Sequence, residues 1–279
     1  MQIVVLLTVL LMAPSFLMAE SRVENVWGAP KLASNIGVNV DWLFNIILWL
    51  TGVVFFATQA LLVWFCVKYR KQKGVKASFS HGNNFAEIVW TTTPAVIFVG
   101  LFIYSRHVWN EFHVPAPSNA LKIEIVGEQY GWNIRYAGKD NVLGKASDKA
   151  MNKENKLGLD KTDPAAADDF ECYNDMVIPV DRPVHIVMRS RDVIHAFYVP
   201  EFRLYQDMVP GRTIEWVWFI PTRKGNFTLA CSQLCGTGHY NMQGKLDVVT
   251  AEEFEKFSAA RAPKPVAQTA PATPVTTVR

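Results

Sequence analysis

From Cys231 the chain reads Cys-Ser-Gln-Leu-Cys235-Gly-Thr-Gly-His239-Tyr-Asn-Met242, which places two thiols, an imidazole and a thioether in one short run. Such soft and borderline donors suit copper better than magnesium or calcium. Cys235, His239 and Met242, with one further histidine from upstream, would complete a mononuclear copper site. Cys231 is then surplus, and a second thiolate allows two coppers to be bridged. Two other chemistries use part of the run. A disulfide between Cys231 and Cys235 would suit an oxidising compartment, but gives His239 and Met242 no role. A tetrahedral zinc site is open to the two cysteines, His239 and another histidine, but leaves Met242 unused.

The elements around the run must hold it. Residues 121–126 (Leu-Lys-Ile-Glu-Ile-Val) alternate apolar and polar, as a half-buried strand does, and 184–188 and 213–220 behave similarly. Residues 226–230 lead directly into the run and 245–249 follow it. Pro179, Pro183, Pro200, Pro210-Gly211 and Gly225 punctuate the series. Short strands with such turns predict a β-sandwich or barrel over residues 117–250, with the run held at one end. Residues 138–175 interrupt the pattern with Lys145, Lys149, Lys153, Asp160, Asp168 and Asp169, and read as a solvated, partly helical insertion that decorates the surface. Cys172 falls in it without an obvious partner. Thr250-Ala-Glu-Glu253 has the form of a capping box opening a short helix over 251–261. The Ala-, Pro- and Thr-rich residues 262–279 are expected to be a disordered tail.

Half of the chain is hydrophobic, unevenly spread. Residues 42–67 and 88–105 are each long and apolar enough to cross a bilayer as a helix, giving a hairpin over 41–106. The intervening loop, 68–86, begins with Lys68-Tyr-Arg70-Lys71-Gln-Lys73, and basic loops stay in the cytoplasm. Residues after Arg106 therefore lie outside. Residues 1–19 resemble a secretory signal peptide ending in a small residue, which leaves 20–40 as an outer segment. Cys66 reads as a packing residue of the first helix. A net charge of +3 is too small to suggest nucleic-acid binding, and no Gly-rich phosphate loop is present.

Five upstream histidines can supply the missing imidazole. The topology places His81 on the cytoplasmic side, and His107 and His113 at the membrane exit. Spacing alone hardly separates His185 from His195. His185 lies in an alternating strand, whereas His195 reads as a turn residue within Asp192-Val-Ile-His195-Ala-Phe-Tyr-Val-Pro200, where a ligand is better placed.

Five pieces in this order resemble subunit II of a haem-copper terminal oxidase of the cytochrome c oxidase type. They are Glu87-Ile-Val-Trp90-Thr-Thr-Thr-Pro94, Gly127-Glu-Gln129-Tyr-Gly-Trp132, His195-Ala-Phe-Tyr-Val-Pro200, Asp207-Met-Val-Pro210-Gly211-Arg and the cysteine run. The resemblance implies a membrane hairpin of two transmembrane helices plus an all-β, cupredoxin-like Greek-key domain carrying a binuclear CuA centre. Cys231 and Cys235 would bridge the coppers, and His195 and His239 would cap one each. Met242 and the backbone carbonyl of Gln233 would be the weak ligands. Electrons would enter from a periplasmic cytochrome c beside Tyr130 and Trp132, with Asp192 on the docking face. They would leave to haem in a catalytic subunit I, with a subunit III as a further partner, in a bacterial inner membrane. Glu87 would mark a proton-path entrance. The catalytic residues for oxygen reduction to water, coupled to proton translocation, would lie in the partner.

Three departures from the family pattern stand out. Gln233 replaces a glutamate whose carboxylate reaches a magnesium at the subunit interface, and an amide is a weaker ligand for that hard cation. Tyr130 stands where many members have tryptophan, and the Gln129-Tyr-Gly-Trp132 form is closer to the B-type branch. Arg135 lies where an acidic docking residue is common. The alternatives are the CuA subunit of a related haem-copper nitric oxide reductase and a membrane-anchored copper-delivery protein.

Overall fold

A computed structural model describes residues 28–79, 81–111 and 113–263. The expected signal peptide and residues 264–279 of the expected tail lie outside the described residues. Among the described residues two long helices come first, α1 (Gly37–Lys68) and α2 (Asn84–Glu111). At 1.5 Å per residue, α1 extends about 48 Å, more than the roughly 30 Å of a hydrocarbon core. Both helices present Trp, Phe and Val outward on every side, Trp49, Phe56, Trp90 and Phe102 among them. An all-round apolar, unburied surface is that of a membrane span rather than a soluble helix. Each helix runs past the apolar stretch that the sequence marks, because its polar flanking residues continue the backbone ladder. Asn39 Nδ2 donates to both carboxylate oxygens of Glu111, 2.7 and 2.8 Å away, and so ties the start of α1 to the end of α2. Cys66 faces outward rather than into a packed contact.

Ten strands follow in two five-stranded sheets. They are β1 (Leu121–Glu128), β2 (Gly131–Tyr136), β3 (Phe170–Tyr173), β4 (Asp175–Pro179), β5 (Val184–Ser190), β6 (His195–Val199), β7 (Leu204–Met208), β8 (Ile214–Phe219), β9 (Gly225–Cys231) and β10 (Gln243–Val249). One sheet has the order β3-β2-β1-β5-β8 and the other β4-β10-β9-β6-β7. β1 pairs parallel with β5 and β10 with β4, and the other pairs are antiparallel. The inner faces meet in an apolar core that includes Ile123, Ile125, Trp132, Ile186, Phe197 and Leu229. Helix α3 (Ala251–Arg261) is opened by Thr250, whose side chain accepts from the Glu253 amide while Glu253 reaches back. Its Phe257 meets Tyr136 and Phe170 on the sandwich.

The segment before α1, with the start of α1, grips the strand ends opposite the cysteine run. The Ala33 and Asn35 amides donate to the carbonyls of Glu201 and Ile220, and Arg203 pairs with Asp41 at 2.6 Å.

Three expectations about the insertion are corrected. The insertion ends at about residue 169, not 175, because 170–173 and 175–179 are strands. Cys172 is therefore a half-buried residue of β3. Helix in the insertion is limited to two 3-10 turns, Asp148–Ala150 and Pro164–Ala166. Its Asn and Asp side chains bond nearby amides instead: Asn155 Oδ1 accepts from Leu159 and Asp160 Oδ1 from Thr162. Such local bonds compete with a helical ladder. Nor is the segment surface decoration. It covers the outer face of the first sheet, where Glu124, Arg135 and Arg189 are buried beneath it. Arg135 reaches Glu124, Asp169 and the Gly144 carbonyl, and Arg189 reaches Glu124, Asp148 and the Leu157 carbonyl.

Candidate metal centre

Strand ends bring the donors together. Cys231 is the last residue of β9, and β6, whose first residue is His195, pairs beside it with Phe197 opposite Cys231. His195 is thus a strand residue, not the turn residue expected. The run leaves β9, turns through a 3-10 segment at His239–Asn241, and rejoins the sheet at β10. The Cys231 amide donates to the Met242 carbonyl at 3.1 Å, closing the loop at its base.

Within that loop the ligating atoms converge. Cys231 Sγ lies 3.7 Å from Cys235 Sγ, 3.8 Å from His195 Nδ1 and 3.2 Å from the Gln233 carbonyl. Cys235 Sγ lies 3.6 Å from His239 Nδ1 and 3.7 Å from Met242 Sδ. Donors bonded to one first-row metal at about 2.0–2.3 Å are held at about this mutual spacing. His195, Cys231, Cys235 and Met242 are buried, while His239 and Gln233 are half-buried. The centre is dry, with an edge toward the surface.

The thiols titrate as a pair. Burial opposes ionisation of Cys231, but bonds from His195 and local amides outweigh it and bring that pKa down to about 6. Cys235 is pushed the other way, first by burial and then by the neighbouring sulfur, because a second negative charge 3.7 Å from the first is costly. A cationic metal removes that conflict by holding both as thiolates.

Asp192 sets the His195 ring. His195 Nε2 lies 2.8 Å from Asp192 Oδ1, an arrangement that puts the proton on Nε2 and turns the Nδ1 lone pair toward Cys231. The carboxylate also accepts from the amides of Gln129 and Val193, each at 2.7 Å. Burial raises the Asp192 pKa, but these bonds outweigh it and hold it below the ordinary value. Assigning Asp192 to docking missed this part; the three-residue interval to His195 was the signal for it. Gly127 lies under the same ring, where an added Cβ would be 3.0 Å from His195 Cδ2.

Of the two aromatics assigned to electron entry, only Tyr130 reaches solvent. Its side chain covers Gly236 and Gly238, where an added Cβ would fall 2.5 Å from the hydroxyl and 2.6 Å from the ring, and Gly236 holds φ +130°. Its hydroxyl is 3.3 Å from Thr237 Oγ1. Gln129 Nε2 donates to the Cys235 carbonyl at 2.7 Å. Trp132 is a core residue, with its ring centroid 6.3 Å from that of His195. Glu87 is remote from the centre, exposed in the first turn of α2, where a negative charge also favours the helix N-terminus. His185 bonds the Glu215 carbonyl and takes no part in the centre.

Residues 121–249 match the family model for the cytochrome C oxidase subunit II periplasmic domain, and residues 26–108 match that for its transmembrane domain. The chain belongs to the cytochrome c oxidase subunit II family. It is 34% identical over 232 residues to the alternative cytochrome c oxidase subunit 2 of Bradyrhizobium diazoefficiens, covering 83% of each chain. It is 31% identical over 256 residues to cytochrome c oxidase subunit 2 of a Synechocystis species, covering 85% of this chain and 76% of that one. Among solved structures, the periplasmic domain of cytochrome oxidase subunit II of Bradyrhizobium japonicum is 30% identical, with a TM-score of 0.38 over 52% of this chain and 96% of that one. As a subunit II, the protein is a membrane-anchored component of a haem-copper oxidase, an oxidoreductase.

Proposed function

We propose that this chain is the electron-entry subunit of the oxidase. In this reading it accepts electrons from a periplasmic cytochrome c and delivers them to haem in the catalytic subunit, where oxygen is reduced to water with proton translocation. The observation that carries the reading is the convergence of two buried sulfurs with His195 Nδ1, His239 Nδ1, Met242 Sδ and the Gln233 carbonyl. That donor set fits a pair of coppers, which the two thiolates, both imidazoles, Met242 and the Gln233 carbonyl would hold between them. When bound, such a pair supplies a one-electron redox centre whose charge is shared over two metals.

The chain's own residues do the rest. Strands β6 and β9 fix His195 and Cys231, so the ligands need not move when charge changes. Asp192 keeps His195 in the tautomer that ligates through Nδ1. Met242 and the sandwich core exclude water from one side, and Tyr130 closes another. Gln233 offers its backbone carbonyl, and its amide side chain brings no charged oxygen to a magnesium. In the same reading the exposed basic residues of 68–76 face the cytoplasm and the copper domain lies on the outer face of a bacterial inner membrane. Glu87, at the loop end of α2, is the proposed proton-path entrance.

The full-length chain loaded with copper tests this. Two coppers per chain, with a paramagnetic resonance spectrum of one electron shared equally by two copper nuclei, is the expected result. A single localised Cu(II), or zinc retained in preference, would refute it.

A further inference from the structure

The insertion does more than cover a sheet; it reaches the rim of the metal centre. Contacts can be followed outward residue by residue. Gln129 bonds the Cys235 carbonyl. Its neighbour Glu128 is paired with Lys156 at 2.5 Å and with Arg191. Arg191 Nη2 donates to the Asn152 carbonyl at 3.2 Å. The turn at 152–156 is built by Asn152, whose Oδ1 accepts from the amides of Glu154 and Asn155. Lys153 is exposed on that turn, and Lys149 is exposed just before it.

The charges at this rim are unequal in availability. Residues 232–243 of the metal loop contain no charged side chain, and their exposed groups include Leu234 and Tyr240. Glu128 is buried and answered by two cations. Asp192 is exposed, but its carboxylate accepts three bonds from within the fold. Glu154 is exposed, but between Lys153 and Lys156. A partner approaching Tyr130 therefore meets a partly apolar loop with no charged side chain of its own, beside one bonded carboxylate, bordered on the insertion side by cations. Acidic attraction for a lysine-rich protein is weak here.

We propose that the turn at 152–156, together with Lys149 and Arg191, forms part of the surface on which the electron donor docks, and that this surface fits a redox protein presenting an apolar patch edged by carboxylates. This inference rests on the electron-entry reading above and names the donor by its chemistry. Rim charges act chiefly on the association rate and its dependence on salt, so the sign of that dependence is the readout.

The test uses the assembled, solubilised oxidase containing this chain. Two pre-reduced donors are compared, an acidic c-type cytochrome and a basic, lysine-rich one, between about 10 mM and about 200 mM ionic strength, a range over which the screening length contracts several-fold. The rate with the acidic donor should fall as salt rises, while that with the basic donor stays flat or rises. The double charge reversal K149E/K153E should slow the acidic donor about tenfold at low salt and remove most of its salt dependence. Copper content and reduction by a small uncharged reductant are measured on the same samples. If both are intact, a basic-donor rate that falls with salt, or a charge reversal that changes neither donor, overturns the docking inference alone. If copper is absent, or the small reductant fails as well, the electron-entry reading falls and takes the inference with it.

Discussion

The β-domain contains two buried clusters of polar side chains, and they are built on opposite principles. On the outer face of the first sheet, Glu124, Arg135, Arg189, Asp148 and Asp169 bond one another and the carbonyls of the insertion above them. At the end of the sandwich, two sulfurs, two imidazole nitrogens, a thioether and a carbonyl point inward at 3.2–3.8 Å with only weak bonds among them. The first cluster pairs cation with anion, two arginines shared among three carboxylates. The second is all electron-pair donors once the thiols ionise, and needs a cation from outside. A buried cluster whose cations and anions pair with one another serves the fold, whereas one whose donors converge unanswered is a binding site.

Several experiments would break or sharpen that contrast. The largest effect is expected for Cys231→Ser, which removes one of the two thiolates proposed to hold the coppers: the two-copper spectrum should disappear, leaving one copper or none per chain by metal analysis. In the ionic cluster, Glu124→Gln removes the carboxylate that two buried arginines share, and should cost about 3–5 kcal/mol in denaturant unfolding. Replacing Glu124, Arg135, Arg189 and Asp169 together by apolar residues of similar volume should cost far less, because the remaining acid, Asp148, is partly exposed. If the single and quadruple variants lose equal stability, the description of the cluster as mutually paired is wrong.

Asp192→Ala links the metal centre to its support. It removes the hold on His195 Nε2 without removing a ligand, and should weaken copper binding about 10–100-fold. Asp192→Asn, which keeps an oxygen acceptor, should restore part of that loss in the same competition titration. The smallest effect concerns pH. Burial raises the Glu128 pKa, but Lys156 and Arg191 outweigh it, so its folded value lies below 4.5. The native state then binds this proton less readily than the unfolded chain. The resulting stability is present above 4.5 and is lost as pH falls through the lower folded value. Amide exchange in the turn at 152–156 should accelerate over that acid range, and Glu128→Gln should abolish the pH dependence.

The membrane hairpin was legible in the sequence because a bilayer imposes a length and a composition that no packing detail can disguise. Strands 121–126, 184–188 and 245–249 were legible because apolar and polar residues alternate along them, although in 121–126 the polar face is covered as well. The insertion was misread for the reverse reason. Glu124 and Arg135 alternate outward as solvent-facing residues do, and nothing local reveals that a distant segment with Asp148 and Asp169 will bury them. Trp132 presented a similar difficulty, since an aromatic beside a surface tyrosine reads as surface until the second sheet covers it.

What the sequence determined by itself was the donor inventory. Two cysteines, a histidine and a methionine in one short run favour soft and borderline metals such as copper, because donor type is a property of each side chain. The tertiary structure decided which upstream histidine joins them and what orients it. It also decided which polar residues are already answered and that an insertion borders the centre. Those are facts of distance and burial between residues far apart in the chain, and they exist only once β6 has been laid beside β9.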